Sequence, residues 1–209
     1  MLQVAYLGIF IDFNLDWQEH INYTYKKLLK FCGIFYKIRD LLPFPCLKML
    51  YFSFVYTHLI YGIEIYANTY SSYLQKLSIL NNKIVRILFS KHTRTHVKDL
   101  YLIIDSLPLI KLHEFFILKF VHKCLFNPVK LPSAFSDYFS FSKLTINYNS
   151  RRQHDLYIKQ SNSNFGRKCL KTKACALWNK LPNEVKSIPD NSLFCKTIKK
   201  YLMGAKDED

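Results

Sequence analysis

Glycine is scarce in this chain: five residues in 209, at positions 8, 33, 62, 166 and 204. A phosphate-cradling loop needs several glycines close together, and neither G-x-G-x-x-G nor G-x-x-x-x-G-K-[ST] occurs. The G-x-S-x-G turn that exposes a nucleophilic serine is also missing. The six cysteines, at 32, 46, 124, 169, 175 and 195, include no C-x-x-C pair, and the spacing of Cys169 and Cys175 fits no common zinc finger. Met1 to Phe10 is apolar but too short for a signal peptide and lacks its basic leader. The cysteines therefore read as reduced thiols in an intracellular protein, of the nucleus or cytoplasm.

Carboxylates are few as well, fifteen against thirty Lys and Arg. Asp12 and Asp16 straddle a strand-to-helix turn, and Asp207 and Asp209 sit in a terminal tail. A two-metal phosphoryl-transfer site, which needs carboxylates converging on two cations, cannot be assembled from them. His92 and His96 in HTRTH have the spacing of a helical zinc pair but lack the glutamate of H-E-x-x-H and fall in a loop. No catalytic residue, metal ligand or cofactor is expected in this chain, and no small-molecule substrate. The one long apolar run, Met49 to Ala67, contains His58 and Glu64 and is broken by Ser53 and Thr57, and its aromatics are scattered. It reads as a core helix, not a membrane span.

What is abundant is apolar and positive. Half of the residues are apolar, 16% are aromatic, and the formal charge is +15. A core can be buried, and an anionic partner is implied: nucleic acid or an acidic membrane surface. Part of the lysine excess accompanies abundant Phe, Tyr, Ile and Asn, the bias of an AT-rich coding sequence.

The pattern along the chain is mainly α. A short strand over Tyr6–Asp12, with Gly8 allowing close backbone approach, leads into a helix from Trp17 to Arg39. Asp16 and Glu19 have capping-box spacing in front of that helix. Pro43 and Pro45 start a second helix, Cys46 to Tyr66, apolar nearly all round. Ser71 is placed to cap a third, Tyr73 to Phe89. A shorter helix near Val97–Ile104 follows, then a longer one over Leu109–Phe126 with Pro108 at its start. Residues 16–126 thus form a helical domain, preceded by a strand region, 1–15. Prolines, serines and asparagines make 127–164 a loop or linker. Helices resume near Phe165, break at Pro182 and end over Ser192–Leu202, giving a C-terminal segment, 165–203, and an acidic tail, 204–209.

Basic residues gather on helix faces. On a wheel, Lys26, Lys30 and Lys37 fall within about 40° of one another, opposite Trp17, Ile21, Leu28 and Phe35. Lys83 and Arg86 share a face of the third helix, and Lys196, Lys199 and Lys200 repeat the arrangement near the end. Such faces suit phosphate backbones, which attract several cations without demanding base contacts.

Five stretches in order resemble one family. YLGIFIDFNLDWQEHI is similar to the segment that leaves the palm of reverse transcriptases encoded by non-LTR, LINE/jockey-like retrotransposons. There a YLG strand, an acidic residue, Leu, Trp and a His-Ile pair lead into the thumb. KMLYFSFVYTHLIYGIEIYANT resembles the family's next helix, with its Tyr-Gly pair, and LQKLSILNNKIVRILF the one after. YNSRRQHDL resembles its Tyr-x-x-Arg element. ALWNKLPNEVKSIPDNSLFCKTIKKYLM matches the terminal Trp-Asn-x-Leu-Pro, spacer and Phe-Lys pattern. The chain departs from the family at Tyr66, where Trp is common, and at Cys195, which separates Phe194 from Lys196.

The resemblance implies a helical, thumb-like bundle, a strand that helps hold the primer end, and a smaller C-terminal helical segment. Its partner would be RNA or an RNA–DNA template–primer duplex. The polymerase chemistry of that family rests on palm aspartates and magnesium, which would lie before Met1. Two other readings follow from the residues alone: a helical protein-interaction domain, and a membrane-associated protein.

Overall fold

The computed structural model describes residues 3–135, 137–142 and 154–204. The protein is mainly helical, with one small antiparallel sheet at its N-terminus. It divides into two compact units, 1–113 and 114–209, whose boundary falls within a helix, Leu109–Phe126, and not at its end. Met1, Leu2, the segment 143–153 and the tail 205–209 lie outside the described residues, and with them Tyr148, Arg151, Asp207 and Asp209.

The strand expected over Tyr6–Asp12 is a hairpin. β1 (Gln3–Tyr6) pairs with β2 (Ile9–Asp12), Tyr6 opposite Ile9. Leu7 and Gly8 both have positive φ, 47° and 78°, which makes a two-residue type I′ turn. Gly8 therefore serves a reversal within the sheet, a role that the Leu-Gly pair signals less clearly than Asn-Gly.

Helix α1 (Gln18–Ile38) follows. The capping box is replaced by a relay: Asp12 Oδ1 accepts the Asp16 N–H at 2.9 Å, and Asp16 Oδ1 accepts that of Gln18 at 3.1 Å. Trp17, at φ 63°, is the N-cap and makes no side-chain cap. Buried Ile21, Leu28, Cys32 and Phe35 mark the inner face of α1.

The second helix is not one regular rod. It runs as α2 (Phe44–Leu50), a π turn (Tyr51–Tyr56) and α3 (Thr57–Ile60). Leu47, Tyr51, Val55 and Leu59 are all buried. In a pure α-helix each four-residue step drifts by about 40°, which would spread these four over about a third of the circumference. The wider π turn holds more residues per turn and takes up that drift. The inner face of the rod is buried, and Met49 and Phe54 are among the exposed apolar residues on its other sides.

The rod ends at Tyr61–Gly62. Gly62 has φ 67°, a conformation that favours glycine, and a Cβ on it would lie 2.6 Å from Ile9 Cδ1 of β2, which would have to shift. α4 (Ile63–Tyr66) then begins, and the Tyr66 hydroxyl donates to Leu59 O at 2.6 Å, satisfying a carbonyl left by the break. The Tyr61 hydroxyl donates to Leu7 O in the hairpin turn.

Helix α5 (Ser71–Leu88) has Tyr70 as its N-cap, so Ser71 lies inside the helix instead of capping it. Its inner face, Leu77, Asn81, Ile84 and Val85, is buried. α6 (Lys98–Ile104) and α7 (Leu109–Phe126) follow as expected. Within the first unit, a chain of hydrogen bonds joins three of these segments. The Tyr51 hydroxyl donates to Asn81 Oδ1 (3.1 Å), Asn81 Nδ2 to the Tyr101 hydroxyl (2.8 Å), and that hydroxyl to Asn82 Oδ1 (2.9 Å). Burial pushes both phenols well above their usual value, so they are neutral donors.

In the second unit, α8 (Asn164–Lys168), α9 (Leu170–Asn179), α10 (Asn183–Lys186) and α11 (Asn191–Gly204) surround Trp178 and Phe194, both buried. Order sets in before Phe165. Phe141 pairs with Leu156 in an isolated antiparallel bridge. Leu156 is buried, and the Asn179 side chain holds its backbone through Leu156 N–H to Oδ1 (2.7 Å) and Nδ2 to Leu156 O (2.9 Å). Trp178 Nε1 donates to His154 O at 3.1 Å, and buried Lys186 pairs with Asp155 at 2.7 Å.

Asn81→Ala leaves the Tyr51 hydroxyl without its acceptor and is expected to lower unfolding free energy by about 2–4 kcal/mol in urea titrations. Asp155→Ala strands the buried Lys186 ammonium and should lower it by about 3–5 kcal/mol, whereas the double variant Asp155→Leu/Lys186→Met should recover most of that loss.

Candidate nucleic-acid interface

α1 has its apolar residues on one side and, in the first unit, presents the opposite side to solvent. Lys26, Lys30 and Lys37 are all exposed there. At 1.5 Å per residue their α-carbons are separated by about 6 Å and about 10 Å along the axis. Glu19, in the first turn, is the only carboxylate in the helix. The row is therefore a line of exposed ammonium groups on a rigid support, able to follow several phosphates at once.

Lys83 on α5 is exposed and close enough to Cys32 of α1 to oppose the rise that burial imposes on that thiol. Arg86 does not match it. Its Nε donates to Thr95 O at 2.8 Å, holding the loop after α5, so part of the guanidinium is committed inside the protein. In the second unit Lys196 and Lys200 are exposed on α11, while Lys199 is half-buried and engaged. The three groups of cations are thus unequal, and the α1 row is the most open.

Lys76, on α5, donates to Asn22 Oδ1 at 3.1 Å and lies 5.0 Å from the centre of the Tyr25 ring. Lys27, adjacent to the row, lies 4.4 Å from the Tyr23 ring centre. The Lys76 contacts join two helices and are not visible in helical periodicity, whereas Tyr23 and Lys27 are four residues apart on one side of α1.

His20, one residue before the buried Ile21, has a role that spacing does not reveal. It is 3% exposed, packs 5.0 Å from the Tyr66 ring, and its Nδ1 accepts the Phe10 N–H at 3.4 Å. It ties β2 to the start of α1. Burial, with Lys27 nearby, lowers its pKa below the ordinary 6.5.

Among the described residues no group of His, Cys, Asp and Glu is arranged to hold a metal ion. His92 and His96 are exposed, and His92 Nδ1 accepts the Arg94 N–H at 3.3 Å. The six cysteines are free, and burial pushes Cys124 and Cys175 up to about 11, which leaves both as unreactive thiols at neutral pH. No described helix is long and apolar enough to cross a membrane. Comparison with family models, curated proteins and solved structures finds no match for the chain.

The folded state keeps His20 neutral, while an unfolded chain takes up a proton near pH 6.5. The stability that this residue supplies is therefore complete above that pH and is lost on acidification. Urea midpoints measured at pH 7.5 and 5.5 should fall more for the wild type than for His20→Gln.

Proposed function

We propose that this chain is the thumb and post-thumb region of an RNA-directed DNA polymerase of the non-LTR retrotransposon type. It binds template–primer nucleic acid through the exposed lysines of α1. The observation that carries the reading is the row Lys26, Lys30 and Lys37, open to solvent on the face opposite Ile21, Leu28 and Phe35. The ordered stretches from YLG to the Trp178–Lys200 segment support it, as does a charge of +15.

On this reading the chain supplies grip without chemistry. Ammonium groups on phosphates bind with little regard to sequence, and displaced counterions make the binding steeply salt-dependent. Lys83 is a further exposed cation on α5, near Cys32 and apart from the row. Lys196, Lys199 and Lys200 form a separate basic face of the second unit, and Arg86 acts chiefly through its hold on the Thr95 loop. Magnesium and the catalytic aspartates belong to a palm, and the 209 residues alone do not polymerise.

Fluorescence anisotropy with a labelled RNA–DNA hybrid tests the α1 row. Lys26→Glu/Lys30→Glu/Lys37→Glu should weaken binding by at least about tenfold and reduce the slope of log K against log salt by roughly 2–3. Affinity and slope both unchanged would remove α1 from the interface. A protein-interaction module would bind the hybrid no better than an unrelated protein of equal charge.

A further inference from the structure

Beside the lysine row, the first unit carries a second surface of different chemistry. Tyr23, Lys27 and Phe31 follow one another at four-residue spacing on α1, hence along one side. Phe54, on the π turn, and His58, on α3, meet them. The Phe31 and Phe54 rings are nearly parallel, 27° apart with centres at 5.9 Å, and His58 lies 6.4 Å from Phe31. Lys27 Nζ lies over Tyr23 at 4.4 Å. Tyr23 is 38% and Phe54 49% exposed, so each leaves ring surface open to solvent. Burial and the Lys27 charge hold His58 below its usual value, so its ring is a neutral stacking surface at pH 7.

An exposed aromatic strip invites an apolar protein partner, a second copy of the chain, or nucleobases. Charge separates them. The two segments bear Lys26, Lys27, Lys30, Lys37 and Lys48 against Glu19 alone. An apolar protein partner would bury the Lys27 ammonium without an anion, and a second copy would bring the same cations face to face. A nucleic-acid strand answers both features, since its bases offer π-faces and its phosphates offer negative charge. In a duplex those faces are already stacked on each other. π turns inside α-helices also recur at functional positions, and Phe54 sits on one.

We propose that Tyr23, Lys27, Phe31, Phe54 and His58 form a stacking platform for unpaired bases of a single nucleic-acid strand. The platform rests on the reading of the chain as a nucleic-acid binder but is separate from the lysine row that takes the duplex. Rings contact the bases, and Lys27 holds the phosphate between them. The platform has no sequence preference, because every base has a π-face.

The test uses the full chain with two labelled probes about a dozen nucleotides long, oligouridylate and a blunt RNA–DNA hybrid. Tyr23→Ala and Phe54→Ala should each weaken oligouridylate binding on the order of tenfold and leave its salt slope unchanged, since no phosphate contact is lost. Hybrid affinity should not change, and Tyr23→Phe should bind oligouridylate as the wild type does. Both positions are on the surface, and unchanged helical circular dichroism excludes unfolding as the cause. Unaltered oligouridylate affinity in both alanine variants would overturn the platform. So would an equal loss for both probes, or a wild-type dimer that Phe54→Ala converts to a monomer. If the wild type binds neither probe, the nucleic-acid reading falls with it. If the lysine-row variant loses the hybrid while neither alanine variant loses oligouridylate, the platform alone is wrong.

Discussion

The first unit is organised around a buried line of polar groups, Tyr51–Asn81–Tyr101–Asn82, running through the π turn, α5 and α6. Asn81 has no exposed surface, and in a medium of low polarity each of its bonds is worth more than in water, as is each one left unmade. Apolar contacts alone allow helices to slide or rotate by small amounts. A donor–acceptor sequence with fixed polarity does not. The line thereby fixes the rotation of α5 about its axis, and α1 lies against α5, as the Lys76–Asn22 bond indicates. The outward direction of the lysine row is a consequence of where four neutral groups meet inside.

The chain also manages its positive charge by position. Its lysines stand mainly at the surface, and where a cation is buried, at Lys186, it meets Asp155 and the Asn179 carbonyl. Interior histidines are kept neutral by burial: His20 beneath the hairpin, and His122 in the second unit, stacked on Phe194 with ring centres 4.1 Å apart and bonded to Ile188 O. Repulsion among thirty basic side chains is thus left to solvent and to whatever anion approaches.

Helix α7 showed itself in the sequence as a long apolar run after Pro108, whereas α1, α5 and α6 were legible because each buries one continuous stripe, and periodicity depends on that alone. The exposure of Lys26, Lys30 and Lys37 was legible for the same reason. The hairpin was not, since Leu7 carries no turn signature and its positive φ is supported by a distant tyrosine hydroxyl. The docking of His154–Leu156 was hidden for a comparable reason: an irregular polar stretch becomes ordered through Trp178 and Asn179, more than twenty residues away. Arg86 looked equivalent to Lys83 on a wheel, which has no place for the loop carbonyl that holds it. The aromatic platform needs two helices side by side, so no single-helix projection contains it.

The π turn at Tyr51–Tyr56 has a consequence for how this rod tolerates change in chain length. A π turn is a helix accommodating more residues than its number of turns requires. Leu47, Tyr51, Val55 and Leu59 stay aligned because the surplus is absorbed locally, on the side where Phe54 projects. Residue number and helical phase are therefore decoupled at this point. The first residue of the turn keeps its bond to Asn81, and the segment after the turn keeps its end at Tyr61–Gly62, whatever the spacing between them. The turn acts as an expansion joint in a rod whose inner face is fixed.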